Sequence, residues 1–403
     1  MGMSMMITEN RRAKAHLDLS LIILTYILAI FGVLAVTIAT YQVSSAPEMT
    51  LLNHIVNSEN GSKQAIFLLI SPIILGVIIA FRYENLRLLS RLFYYISVFL
   101  LFLVLVTSQV SGVKAWMNII WGYTIQPSEF AKLGMIMVMA RILSRENEPM
   151  STWKDFVRTM SILAFPALFI LLQGEWGSLM VMIFIFAVML YFGGVKLKIL
   201  IGMAAAGALF VLAMYGVAVA SGSDSYRLQR ILSFFNPEMY SSNDAYQMTQ
   251  SKIAIGSGGI SGIGMFVNGS MSQLDYVPAD WTDFIFSTIG EAFGFIGCGV
   301  ILLIYLLIIL RMVYLARFTQ DKFGQMIIIG VMAMFLFHVF QNIAMTLGLM
   351  PIAGIPLPML SYGGSNMVTN MAGVGLVLNV VKNRSLSAAV NTPQLRVNRY
   401  SRY

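Results

Sequence analysis

Long apolar runs separated by short polar stretches dominate the chain. Runs at 19–41, 65–82, 88–108, 127–144, 158–173, 176–193, 196–220, 283–310, 324–348 and 362–381 each approach the roughly 20 residues that a helix needs to cross a bilayer. The fifth run is short and glycines interrupt the last two. The pattern predicts an all-α polytopic membrane protein of about ten transmembrane helices. Most connections are brief, but the one at 221–282, between the seventh and eighth spans, is long enough to carry function.

Composition supports a lipid solvent: 58% of the 403 residues are hydrophobic and only 11% charged, against about a quarter charged in a soluble domain. The net charge of +8 does not point to nucleic acid, because the basic residues sit in short loops and form no basic face. Placing the N-terminus in the cytoplasm puts Arg82, Arg87, Arg91, Arg141, Arg145, Lys154, Arg158, Lys196, Lys198, Arg311, Arg317 and Lys322 in inner loops. Only Lys63, Lys114, Arg227, Arg230 and Lys252 then face outward, so both termini are expected inside and the 221–282 loop outside. The layout is a cytoplasmic segment 1–18, one membrane domain 19–382 and a basic cytoplasmic tail 383–403 lying near anionic lipid. The first run is too long for a cleaved signal peptide and no clear cleavage site follows it. The lone Cys298 excludes an internal disulfide, and three scattered histidines argue against a histidine metal site. Gly256-Ser-Gly-Gly-Ile-Ser-Gly-Ile-Gly264 fits neither dinucleotide nor Walker A spacing and reads as a flexible or closely packed loop.

Polar residues concentrate at the outer face. Asp283 opens Asp-Phe-Ile-Phe-Ser, where water gives way to lipid. It reads either as a helix-capping carboxylate or as a general base raised by partial burial. Glu129 and Lys132 are three apart on one helix face and either pair with each other or serve a site. Glu291 lies two turns below Asp283, Glu175 marks a tight outer turn, and Asn342, Asn366 and Asn370 read as helix–helix hydrogen bonders. Pro351, Pro356 and Pro358, followed by Ser361-Tyr-Gly-Gly-Ser365, force irregular backbone at membrane depth, which must line a cavity or be covered by protein. Lys114, Arg227 and Arg230 beside such a cavity would suit a phosphate-bearing substrate.

With these residues in view, the chain resembles the SEDS family, the RodA and FtsW polymerases of bacterial cell-wall synthesis, over nearly its whole length. The resemblance is carried by Gly112-Val-Lys-Ala-Trp116, Gln126-Pro-Ser-Glu-Phe-Ala-Lys132 and Tyr246-Gln with Gln250-Ser-Lys-Ile-Ala-Ile-Gly-Ser-Gly-Gly259. It continues through Gln273 to Pro278, Thr282-Asp-Phe-Ile-Phe286, Gly354-Ile-Pro-Leu-Pro358 and Ser361 to Ser365. Phe340-Gln-Asn-Ile-Ala-Met-Thr resembles RodA more than FtsW. Two positions depart from the family wording: Gln173-Gly-Glu-Trp-Gly177 stands where Q-P-D-x-G is usual, and Trp281 stands where histidine is frequent.

The resemblance implies a peptidoglycan glycosyltransferase of the bacterial cytoplasmic membrane that polymerises lipid II with inversion and releases undecaprenyl diphosphate, serving elongation and cell shape. Asp283 would be the catalytic base. Lys114, Trp116, Glu129, Lys132, Glu175, Arg227, Arg230, Gln250, Pro358, Ser361, Gly363 and Ser365 would bind substrate. A divalent cation, Mg²⁺ or Mn²⁺, is a candidate cofactor, and a class B penicillin-binding protein is the implied partner. Two other classes stay open: a flippase moving lipid II outward, and a scaffold for the penicillin-binding protein.

Overall fold

The computed structural model of the chain describes residues 17–41, 50–106, 115–118, 124–145, 149–220 and 243–390. The described fold is helical apart from one short antiparallel pair. In chain order the elements are α1 (Leu19–Ala39), α2 (Leu51–Asn57), α3 (Glu59–Ala80), α4 (Tyr83–Val106), β1 (Met117–Asn118) paired with β2 (Thr124–Ile125), α5 (Pro127–Leu143) and α6 (Trp153–Gln173). There follow α7 (Trp176–Gly193), α8 (Leu197–Ala220), α9 (Asn243–Ser257), α10 (Ile285–Arg317), α11 (Lys322–Thr346) and α12 (Gly364–Val390). Each predicted apolar run falls on a helix. Seven of the described helices, α1, α3, α4, α6, α7, α10 and α11, are long and apolar enough to cross a membrane.

Capping explains where the boundaries moved. The second run begins not at 65 but at Glu59, because Ser58 accepts the Gly61 N–H at 2.9 Å and seeds a polar first turn. The fifth is not short: Thr152 accepts the Asp155 N–H, starting α6 at Trp153, and left-handed Gly174 (φ 84°) ends it. The glycine interruption expected in the last two runs is absent. α11 and α12 run unbroken past Gly330, Gly373 and Gly375, which admit close neighbours instead; a Cβ on Gly330 would sit 2.6 Å from Ile136. The break occurs in α10, at Gly294 (φ 64°, ψ −161°).

α11 is the centre of the bundle and packs against α5, α7, α10 and α12. α5 is buried on nearly all sides, which explains why its side chains show no polar face. Outward, α3, α4, α6 and α10 expose large apolar residues such as Leu69, Tyr95, Phe165 and Phe295, the surface expected against hydrocarbon. At the end of the bundle opposite Asp283, Arg311 grips Asp18 through two guanidinium nitrogens (3.0 and 2.6 Å), tying α10 to the start of α1. Although Asp18 is part-buried, which raises a carboxyl pKa, the Arg311 hydrogen bond and the Leu21 N–H hold it below the ordinary value.

The described part of the long loop is not a solvated appendage. α9 packs against α10, and residues 258–264 double back along the broken helix. The glycine-rich segment proves closely packed: Ile263 N–H donates to Glu291 O, Gly264 N–H to Ala292 O, Phe295 N–H to Gly259 O and Ile296 N–H to Ile260 O. These four bonds satisfy backbone groups that the break at Gly294 would leave bare. Carbonyl oxygens press so closely that a Cβ on Gly258 would lie 1.9 Å from Gly290 O, and one on Gly262 2.1 Å from Ala292 O.

Candidate functional site

Asp283 stands just before α10, half-buried, on a main chain held at three consecutive carbonyls. Tyr362 N–H donates to Trp281 O at 2.9 Å. The Ser361 hydroxyl donates to Thr282 O at 2.6 Å, and Asn342 Nδ2 donates to Asp283 O at 2.8 Å. The same Asn342 nitrogen donates to Ile355 O at 2.8 Å, so α11 fastens the aspartate segment and the proline-rich turn together. Gly354 (φ 62°) brings that turn beside the carboxylate; a Cβ there would sit 3.6 Å from Asp283 Oδ2. The turn is braced in its own right. Leu357 N–H donates to Ser361 Oγ at 2.7 Å, Tyr305 OH donates to Pro358 O at 2.5 Å, and Gln64 bridges Ser361 O and Gly363 N–H, both at 3.3 Å. The prolines thus occupy covered, irregular backbone.

The tight turn before α7 adjoins the same place. Gly177 packs so closely on the turn that a Cβ would lie 2.1 Å from Ala353 O. Gln126 Nε2 donates to Glu175 Oε1 at 2.6 Å, and Gln126 N–H to Ser365 Oγ at 3.0 Å, joining the starts of α5, α7 and α12. The carboxyl end of Glu175 is buried and its Oε2 lacks a hydrogen bond of ordinary geometry. Burial pushes the Glu175 pKa up, opposed by the Ser128 hydroxyl and the Gln126 amide; Glu129 adds to the rise and Lys132 opposes it.

Behind this layer lies a buried polar chain. Lys132 Nζ donates to Glu129 Oε1 (2.7 Å) and to His338 Nε2 (2.9 Å), and His338 Nδ1 donates to Pro356 O (3.1 Å). Lysine has only donors, so His338 Nε2 must be the acceptor and Nδ1 must carry the hydrogen. The chain therefore runs from α5 through α11 to the proline-rich turn. Glu129 and Lys132 are 2% and 1% exposed, so of their two readings the pairing is realised, with both lying beneath the site surface.

Of the other predicted substrate residues, Pro358, Ser361, Gly363 and Ser365 belong to the braced turn and the start of α12. Trp116 and Gln250 are partly exposed, the one just before β1 and the other on α9. Lys114, Arg227 and Arg230 lie outside the described residues. Glu291 accepts from Met271 N–H (2.6 Å) and from the backbone and hydroxyl of Ser272, and so anchors the loop. Trp281, at the histidine-frequent position, packs its ring against the apolar core. Among the described residues no group of three or more His, Cys, Asp or Glu side chains could hold a metal ion. Asp280, fully buried, has neither oxygen in a hydrogen bond of ordinary geometry. Burial raises its pKa well above the usual carboxylate range; Asp275 and Glu291 add to this, while the Trp281 N–H and the Thr288 hydroxyl beside it act the other way. Sequence reasoning missed Gln64, His338 and the positioning role of Asn342. For His338 and Asn342 the available signal was a hydrogen-bonding imidazole or amide inside a membrane-length run; Gln64 lies just before its run.

A bundle of apolar helices around a clamped aspartate, flanked by a proline-rich turn and an inward-packed loop, defines a multi-pass membrane protein with a polar site at one end. The chain belongs to the FtsW, RodA and SpoVE family of cell cycle proteins, whose family model matches residues 18–386. It is 32% identical over 372 residues to the probable peptidoglycan glycosyltransferase FtsW of Trichlorobacter lovleyi, covering 91% of this chain and 93% of that one. It is 33% identical over 276 residues to the peptidoglycan glycosyltransferase MrdB of Escherichia coli, covering 68% and 72%. The crystal structure of the rod shape determining protein RodA of Thermus thermophilus superposes with a TM-score of 0.65 at 25% identity, covering 91% of this chain and 97% of that one.

Proposed function

We propose that this protein is a peptidoglycan glycosyltransferase that polymerises lipid II in the bacterial cytoplasmic membrane, with its site facing outward. The observation that carries the reading is Asp283: a carboxylate at the mouth of α10, its main chain held by Ser361, Tyr362 and Asn342, with Gly354 of the proline-rich turn beside it. In polymerisation a sugar 4-hydroxyl attacks an anomeric carbon opposite the diphosphate, so configuration inverts. Asp283 accepts the hydroxyl proton as the new glycosidic bond forms, and undecaprenyl diphosphate departs. Cationic side chains offset the charge on the leaving group; Lys114, Arg227 and Arg230 are the candidates. Mg²⁺ or Mn²⁺, if bound, would add positive charge beside the diphosphate; among the described residues no group of three or more His, Cys, Asp or Glu side chains could hold it. The exposed apolar faces of the bundle receive the polyprenyl chains.

The RodA-like wording of Phe340 to Thr346 supports a role in elongation rather than division. Complementation of a RodA-depleted strain, with failure to rescue an FtsW-depleted one, tests it. The partner is a class B penicillin-binding protein. In support, the chain shares its fold (TM-score 0.73, 24% identity) with a member of a peptidoglycan synthase complex described as coordinating polymerization and crosslinking. Flippase chemistry loses three intramembrane charges it would use: Glu129 and Lys132 neutralise each other and Glu291 anchors the loop. The deciding assay is glycan-strand formation from purified lipid II by the protein co-purified with its partner, with Mg²⁺ or Mn²⁺. Asp283→Ala should abolish polymer while folding and membrane insertion persist. Polymer from that variant at the normal rate would sink the assignment of Asp283, and none from the wild type beside an active relative would move the function to transport or scaffolding.

A further inference from the structure

Four arginines meet where α4 and α5 run side by side, at the end of the bundle away from Asp283. Arg87 and Arg91 are one turn apart on α4; Arg141 lies in the last turn of α5 and Arg145 follows one turn on. Two of them are pinned. Arg141 Nη1 donates to the carbonyls of Arg87 (2.8 Å) and Leu88 (3.1 Å). Arg87 Nη2 donates to Ser144 Oγ (3.3 Å), and its guanidinium lies 5.5 Å from the centre of the Phe323 ring. Arg87, Arg91 and Arg145 all act electrostatically on Arg141. Among the described residues no carboxylate forms an ion pair with any of the four; Glu146 and Glu148, next in sequence, lie outside them.

Like charges held together cost free energy unless an anion joins them. An inward bias of basic residues accounts for arginines at this end, but not for two pairs interlocked across a helix contact with a donor unspent. Arg141 Nε is buried and has no acceptor. Beside the cluster, Leu88, Leu92, Tyr95 and Phe99 are exposed at steps of three or four residues, an apolar stripe on α4 leading from the arginines toward the middle of the bundle. A cationic pocket continuous with an apolar stripe matches a ligand with an anionic head and hydrocarbon tails. Guanidinium forks suit phosphate oxygens in particular.

We propose that Arg87, Arg91, Arg141 and Arg145 form a binding site for the phosphodiester headgroup of an anionic lipid, whose acyl chains lie along the exposed face of α4. The site is separate from the glycosyl-transfer site and stands whether or not that assignment holds. Free phosphate shares the headgroup chemistry, so the test separates the two. The full-length protein in detergent is titrated with phosphatidylglycerol, phosphatidylcholine or inorganic phosphate, and thermal stabilisation reports binding. Phosphatidylglycerol should stabilise it and the other two should not.

Arg91→Gln with Arg145→Gln, two exposed residues whose side chains brace nothing else described, should require about thirty-fold more phosphatidylglycerol, at roughly a factor of five per basic residue near an anionic lipid. Arg82→Gln with Arg317→Gln removes the same charge from the same end and should bind as wild type. The proposal is overturned if the first pair binds as wild type, or if the second loses as much, which would mean a diffuse surface potential. Stabilisation by inorganic phosphate equal to that by the lipid would overturn the lipid in favour of a free-anion site. Should the double variant not fold, Arg145→Gln alone, expected about five-fold weaker, gives the same reading.

Discussion

Asn342 shows how a single side chain can serve a site it does not enter. Its amide spans the carbonyls of Asp283 and Ile355, and a leucine there would leave both buried acceptors bare. At about 1–3 kcal/mol for each unsatisfied group, Asn342→Leu should lower the melting temperature by several degrees. Polymerisation should fall at least ten-fold, with kcat affected more than KM, because the substrate surface persists while Asp283 drifts. Asp280 makes the opposite case, a carboxyl that the fold tolerates rather than uses. Burial raises its pKa above the ordinary 3.8. Unfolding therefore becomes easier as pH rises from about that value toward the folded pKa, since the unfolded chain ionises first. Asp280→Asn should melt higher than wild type at pH 7 and converge with it as the pH falls toward 4; equal melting at both pH values would refute the burial argument. The place of Asp283 at a polar–apolar boundary, just before a long helix, was legible in the sequence. The three donors that hold it were not, because Asn342, Ser361 and the Tyr362 amide come from distant segments.

Elements were legible wherever apolar length alone decides, and less so where backbone satisfaction decides. All ten runs became helices, yet glycine was misjudged. In α11 and α12 it is a contact surface, while at Gly294 it interrupts the helical course of α10. The difference lies in partners: the loop glycines 258–264 can approach α10 closely enough to bond its freed groups, and no such segment flanks α12 at Gly373. Gly258→Ala must displace a Cβ from 1.9 Å of Gly290 O, against backbone that cannot rotate away. We expect a loss of about 1–3 kcal/mol, read as a lower melting temperature. Gly256→Ala, which meets open space, should be nearly neutral.

Across the whole molecule, polar groups inside the bundle join elements that apolar packing alone would let slide. The Glu129–Lys132–His338 chain links α5 through α11 to the turn that faces Asp283. Removing one charge strands the other, so Lys132→Met should cost about 3–5 kcal/mol, and the double change Glu129→Leu with Lys132→Met should recover much of that stability. Thermal melting of the single and double variants checks this, and a double variant no more stable than the single would refute pairwise compensation. The sequence pattern showed Glu129 and Lys132 on one face but not His338, since a lone histidine 206 positions away carries no periodic signal. The glycine lock on α10 also bears on the order of biogenesis. Residues 259–264 leave the ribosome before residues 291–296, so the donors and acceptors that the broken stretch of α10 needs are synthesised ahead of it. The groups that the break leaves bare are thus met by chain already made, and the loop serves as a template for the helix that follows it.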